Sequence, residues 1–80
     1  MQKLELYYFP GCPFCIKVLK FVERNKLNED IILKNIHEDQ AYKNELLDIG
    51  GKNQVPCLFI DGRPLYESND IINWLKENML

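Results

Sequence analysis

Eighty residues make one small domain, residues 1–80, near the lower size limit for a core that folds without a staple. An apolar share of 46% excludes a disordered chain. A net charge of −2, from 10 basic and 12 acidic residues spread along the chain, leaves no basic stripe for nucleic acid and no polybasic patch for a membrane surface. Apolar runs of a few residues are too short to span a bilayer. The opening MQKLELYYF reads as the first strand, so no leader is expected. Three cysteines are too few for a disulfide scaffold. The expected setting is cytoplasmic and reducing, where a disulfide is more often transient than structural.

Residues 4–8, LELYY, alternate and are aromatic-rich, which predicts a strand. FPGCP then breaks the pattern. From Phe14 to about Asn25, Cys15, Val18, Leu19 and Val22 recur at one helical face, and Lys17, Lys20 and Arg24 lie mostly away from it. Pro13 suits the first turn, where its missing N–H costs nothing. Cys12 therefore falls at the helix N-terminus and Cys15 one turn inside. DIILKNI (30–36) predicts a second strand. Asp39 caps a short helix over 41–49, with Tyr42, Leu46 and Ile49 inward and Gly50-Gly51 as its stop. VPCLFID (55–61) is a strand that opens with proline. The Asp61-Gly62 pair predicts a hairpin returning through RPLYE. Ser68 is expected to cap a last helix reaching about Asn78, with Ile71, Ile72, Trp74 and Leu75 on its buried side. The order β-α-β-α-β-β-α predicts an α/β fold, a mixed four-stranded sheet with helices on both faces.

Three features carry chemistry. The first is Cys12-Pro13-Phe14-Cys15. An unperturbed thiol is only a few per cent ionised at neutral pH, and the thiolate is the nucleophile. Free N–H groups and the positive dipole end of a helix favour a negative charge at its start, where Cys12 lies. Cys15, one turn along, is placed to attack a disulfide formed on Cys12. Lys17 adds positive potential. Two other readings of the pair stand beside the redox one: half of a zinc site completed by Cys57 and His37, and a permanent bridge. A pair that follows a strand and opens a helix within a β-α-β unit favours the redox couple. The second feature is Gln54-Val55-Pro56. Proline cannot donate to a sheet ladder, so Pro56 is either a trans residue at a strand start or part of a cis Val55–Pro56 bond. The cis form would leave the Val55 backbone groups free to pair with an extended substrate. The third is YESND (66–70), where Glu67 and Ser68 meet the start of the last helix. That start reads as a plain N-cap or as an anion site.

Together these motifs resemble a glutaredoxin, within the thioredoxin fold. CPFC is similar to the family's C-P-Y-C, with Phe14 in place of tyrosine, and QVP is similar to its T-V-P cis-proline motif. KNQVP with DGRPLYESNDIINWL also resembles the glutathione-binding N-terminal domain of glutathione transferases, and the glutaredoxin type built on that plan. The resemblance spans essentially the whole chain. It implies a cis Val55–Pro56 bond, with the Val55 backbone pairing with the cysteinyl part of glutathione. It implies that Glu67 and Ser68 hold the γ-glutamyl end, and that Phe14 lines the groove. Gln54, Pro56 and Asn69 complete the expected substrate-binding set.

Two positions depart from the family pattern. Phe9 stands where many glutaredoxins carry lysine, which removes a cation from the thiolate and from the glycine carboxylate of glutathione. Asn69 stands where many carry aspartate, the usual partner of the γ-glutamyl amine; Glu67 or Asp70 could replace it. Lys43 and Lys52 are candidates for the missing cation. Cys57 reads as a small apolar strand residue, with a third redox thiol as the alternative. His37 reads as a solvated loop residue without a role.

The implied function is glutathione-dependent thiol-disulfide oxidoreduction of protein disulfides and glutathione mixed disulfides through Cys12 and Cys15. It needs no metal and no tightly bound cofactor, and glutathione is the co-substrate. Disulfide-containing or glutathionylated proteins are the partners of a monomer. Three alternatives stand beside it. One is a redoxin reduced by thioredoxin reductase. Another is a non-enzymatic iron-sulfur cluster carrier using Cys12 at a dimer interface, against which Pro13 stiffens the loop. The last is a glutathione-binding module without turnover, against which the second cysteine speaks.

Overall fold

The alternating LELYY segment forms strand β1 (Leu4–Tyr8) at the centre of the molecule, in a computed structural model that describes residues 2–80. Helix α1 (Pro13–Arg24) follows, then strand β2 (Ile31–Asn35) and a short helix α2 (Gln40–Glu45). α2 runs on into a π-helical turn, Leu46–Gly50. Strands β3 (Cys57–Ile60) and β4 (Arg63–Tyr66) form the expected hairpin, and helix α3 (Ser68–Met79) closes the chain. The sheet order is β2-β1-β3-β4. β1 runs parallel to β2 and antiparallel to β3, and β4 is antiparallel to β3. Asp61 and Gly62 both take positive φ, 50° and 84°, as a tight two-residue hairpin turn requires. Pro64 sits in the edge strand β4, where a missing N–H costs least.

Strand side chains alternate between two faces, and each face builds a core. Leu4, Leu6, Leu58 and Ile60 meet Val18 and Val22 of α1 and Ile71 and Leu75 of α3. Each fully buried Leu or Ile there contributes about 1.5–3 kcal/mol. On the opposite face Tyr7, Cys57 and Phe59 pack with Ile36 and Leu46. The Tyr7 and Phe59 rings lie 4.5 Å apart and tilted. The helices thus cover both faces, as the element order predicts.

α2 itself fully buries no residue; its apolar contact is the half-buried Tyr42, which packs against the second core as expected. Leu46, just beyond it, supplies the apolar anchor. A polar cluster supplies the rest. The Lys34 ammonium bonds Glu5 Oε2 at 2.6 Å and Glu45 Oε1 at 2.8 Å, and reaches the Tyr7 hydroxyl at 3.3 Å. Tyr7 donates to Glu45 Oε1 at 2.7 Å. Burial opposes the Lys34 charge, but the bonds to Glu45 and Glu5 outweigh it and raise its pKa. The bonds from Lys34 and then Tyr7 hold the Glu45 carboxyl below its ordinary value of 4.5.

Three elements depart from the sequence reading. Ile49, expected inward, is 55% exposed. The π turn takes more residues per turn than the α period assumed, so the inward phase ends at Leu46. The third strand begins at Cys57, not Val55, because the chain enters it only after Pro56. Ser68 is not the cap of α3. Glu67 holds that place with φ 73°, its carbonyl accepting the Ile71 N–H at 3.0 Å, and Ser68 is the first helical residue. Gly51 does end the preceding helix, with a left-handed φ of 80°. Gly50 answers to a close approach instead: a β-carbon there would overlap the Tyr66 hydroxyl.

The Glu45 pKa is lower in the folded chain than in the unfolded one. Its contribution is therefore full above the ordinary carboxyl value and fades as pH falls through the folded value. Glu45→Gln is expected to cost about 1 kcal/mol at neutral pH. In urea titrations the gap to the parent protein should narrow as pH falls below the ordinary carboxyl value of 4.5 and close once Glu45 is protonated in the folded chain as well. Lys34→Met should cost more, about 3 kcal/mol, because buried Glu5 then keeps only the exposed Lys3 ammonium, 3.9 Å away.

Candidate functional site

Pro13 starts α1, and Cys12 caps it with extended backbone, φ −87° and ψ 119°. Its sulfur accepts the Cys15 backbone N–H at 3.4 Å, one of the donors a helix start leaves without an intrahelical acceptor. Its own N–H returns to the Phe9 carbonyl at 3.2 Å, which fixes the loop between strand and helix. Cys12 is 8% exposed and Cys15 is fully buried. Burial pushes the Cys15 thiol up to about 12, a backbone bond with Phe9 works the other way, and the Cys12 sulfur raises it further. One sulfur thus meets solvent and a backbone donor, while the other holds its proton beneath it. Both thiols are free.

The strand register builds the remainder of the site. Tyr7 pairs with Cys57, and Cys57 with Tyr66, in one row across the sheet. That row brings three chain segments to the same sheet end: the loop carrying Cys12, the stretch before β3, and the start of α3. There a groove of about 370 Å³ opens, with Phe14 on its α1 side. Gln54, Val55 and Pro56 line another side, and Glu67, Ser68 and Asn69 a third. All seven residues expected to bind substrate therefore face one cavity. The Val55–Pro56 bond is cis, as the resemblance implies. Val55 lies outside the ladder, and among the described residues its N–H and C=O have no backbone partner. Gln54 Nε2 donates to Glu67 Oε1 at 3.3 Å across the groove. Glu67 holds a positive φ, 73°, that a non-glycine residue adopts only at a cost of about 1–3 kcal/mol. Such strain is often kept at binding sites.

A family model for glutaredoxin matches residues 4–65. The chain belongs to the glutaredoxin family. Members of this family are thiol-disulfide oxidoreductases, and so is this chain. Glutaredoxin 1 of Rickettsia prowazekii (strain Madrid E) is 32% identical over 81 residues, covering 100% of this chain and 84% of the relative. Glutaredoxin 1 of Salmonella typhimurium is 31% identical over 75 residues, covering 88% and 86%. Among solved structures, the thioredoxin-like protein BC3987 superposes with a TM-score of 0.76 at 29% identity, covering 94% of this chain and 97% of that one.

Within this glutaredoxin the other flagged residues fall away from the groove. Cys57 is fully buried in the second core, and burial pushes its thiol up to about 11. Its sulfur meets the Tyr66 hydroxyl, which also donates to the Lys52 carbonyl at 3.4 Å. Cys57 is therefore a packing residue, and the third-thiol reading is not supported. Cys57 and His37 do not complete a zinc site: among the described residues no three His, Cys, Asp or Glu side chains converge to hold a metal. The His37 ring stacks on Phe9 at 4.5 Å and 12°, so His37 has a neighbour that its loop position did not suggest. Lys43 and Lys52 do not line the groove, and the Lys52 ammonium sits 5.2 Å over the Tyr66 ring. Lys17, expected to add positive potential near Cys12, instead has its ammonium donating to Asn69 Oδ1 at the groove, a contact the sequence did not reveal. Among the described residues no helix is long and apolar enough to cross a membrane.

Iodoacetamide added to the reduced native protein should label Cys12 first, and Cys15 and Cys57 only after denaturation. Peptide mapping by mass spectrometry checks the order. Native labelling of Cys57 would contradict its burial.

Proposed function

We propose that this glutaredoxin uses glutathione to reduce glutathione mixed disulfides and protein disulfides, with Cys12 as the attacking thiol and Cys15 as the resolving one. The groove carries the reading. It offers free backbone groups at Val55, an aromatic wall at Phe14 and the start of α3, beside the loop that holds Cys12. An extended thiol tripeptide pairs with Val55 as a short added strand. Its γ-glutamyl end then reaches Glu67, Ser68 and Asn69.

The Cys12 thiolate attacks the glutathione sulfur of a mixed disulfide. A Cys12–glutathione disulfide forms, and the substrate leaves as a thiolate that takes a proton from solvent. A second glutathione thiolate attacks the glutathione sulfur on Cys12, which releases oxidised glutathione and restores Cys12. On a protein disulfide, Cys12 forms a mixed disulfide with one substrate sulfur and the other leaves. Cys15 then loses its proton and attacks the Cys12 sulfur. The second substrate thiol is released and a Cys12–Cys15 disulfide remains, which two glutathione molecules reduce. The elevated Cys15 pKa supports this order: burial, and to a lesser extent the neighbouring Cys12 sulfur, hold the proton on Cys15 in the reduced protein, which leaves the first attack to Cys12.

Cys12→Ser should reduce turnover to background with every disulfide. Cys15→Ser should keep turnover on glutathione mixed disulfides and lose it on protein disulfides. A coupled assay with glutathione and glutathione reductase, run beside one with thioredoxin reductase, identifies the electron donor. Turnover with thioredoxin reductase alone would reject the glutathione reading. An active Cys12→Ser variant would reject the assignment of roles.

A further inference from the structure

We propose that Lys17 is a specificity-determining positioning residue, holding the Asn69 amide so that the groove meets a donor and selects a carboxylate. This rests on glutathione occupying the groove. The Lys17 ammonium bonds Asn69 Oδ1 across the gap between α1 and α3. An ammonium has three donors and no acceptor, so the amide can face it only through oxygen. That fixes an orientation which an isolated asparagine leaves open.

The other end of the amide is then committed. Asn69 lines the groove, and among the described residues its Nδ2 has no hydrogen-bond partner. The neighbouring groups have the same polarity. Ser68 offers a hydroxyl, and the first intrahelical bond of α3 is made only by the Ile71 N–H, which leaves earlier N–H groups without acceptors in the helix. The Glu67 carboxylate faces Gln54 instead. This end of the groove therefore presents donors from Ser68 and Asn69 with an ammonium behind them. The γ-glutamyl end of glutathione carries an α-carboxylate and an α-ammonium, and such a wall recognises the first. An aspartate at position 69 would neutralise Lys17 and put a carboxylate oxygen in place of the amide donor, leaving Ser68 and the backbone N–H groups as the remaining donors.

The test uses two mixed disulfides of one small thiol, with glutathione and with the glutathione analogue whose γ-glutamyl α-carboxylate is an amide. The parent protein should favour the carboxylate by about tenfold in kcat/KM, expressed in KM. Lys17→Met should shrink that preference to about twofold or less. Lys17→Arg, again a donor-only cation, should restore it. Asn69→Asp should shrink it as Lys17→Met does, leaving what Ser68 and the backbone N–H groups supply. Because the readout is a ratio within one variant, a general loss of folded protein does not move it. A Lys17→Met variant with the full preference overturns the role of Lys17. A parent protein that turns over both disulfides equally overturns it too, while leaving glutathione as the substrate. No turnover of either overturns the glutathione reading and this inference with it.

Discussion

The first helix begins with N–H groups that have no carbonyl in the helix to receive them, and one of these, from Cys15, points at the Cys12 sulfur. The proposed chemistry depends on this contact. It joins the two cysteines through backbone, so the second residue of the pair supports the first before any substrate arrives. It exists because Pro13 starts the helix one residue after Cys12 and needs no acceptor itself. Apolar residues at Val18 and Val22 then seat the helix on the sheet, and Cys15 is carried inward on the same face. The Cys12 sulfur is held at the rim by the packing that hides Cys15.

The sheet performs the second task, bringing together segments that are far apart in the chain. Three strands meet in the row Tyr7–Cys57–Tyr66, and each passes directly into a groove-forming segment. A register slip of one residue on β3 would turn its inward side chains to the other face and displace Val55 and Pro56 from Cys12. Register is held from both sides, because Leu58 and Ile60 belong to one core and Cys57 and Phe59 to the other. A cysteine beneath the groove is thus explained by packing. The α2 face is fastened largely by Lys34 and its carboxylates, because α2 brings only the half-buried Tyr42 to the second core.

Much of this could be read from local pattern. The change from period two in LELYY to a helical period after Phe14 marked β1, α1 and the position of Cys12 between them. The Asp61-Gly62 turn marked the β3–β4 hairpin, and the groove residues followed from QVP and YESN. What stayed hidden depends on partners distant in sequence or on backbone that no motif announces. The π turn that exposes Ile49 leaves the same residues at the same spacing as an α-helix. The positive φ at Glu67, which takes the cap from Ser68, occurs at a residue type that gives no hint of it. Lys17 and Asn69 were each noted for other reasons, and only the packing of α1 beside α3 shows that they meet.

The Tyr66 hydroxyl occupies the space that a side chain at position 50 would fill, while it reaches the Lys52 carbonyl and the Cys57 sulfur. In evolutionary terms, positions 50 and 66 cannot drift independently. A relative with any larger residue at the first must give up the tyrosine at the second, or shift its ring, and with it one tether of the segment leading to Val55. Substitution at a glycine far from the cysteines in sequence would therefore register in the shape of the groove.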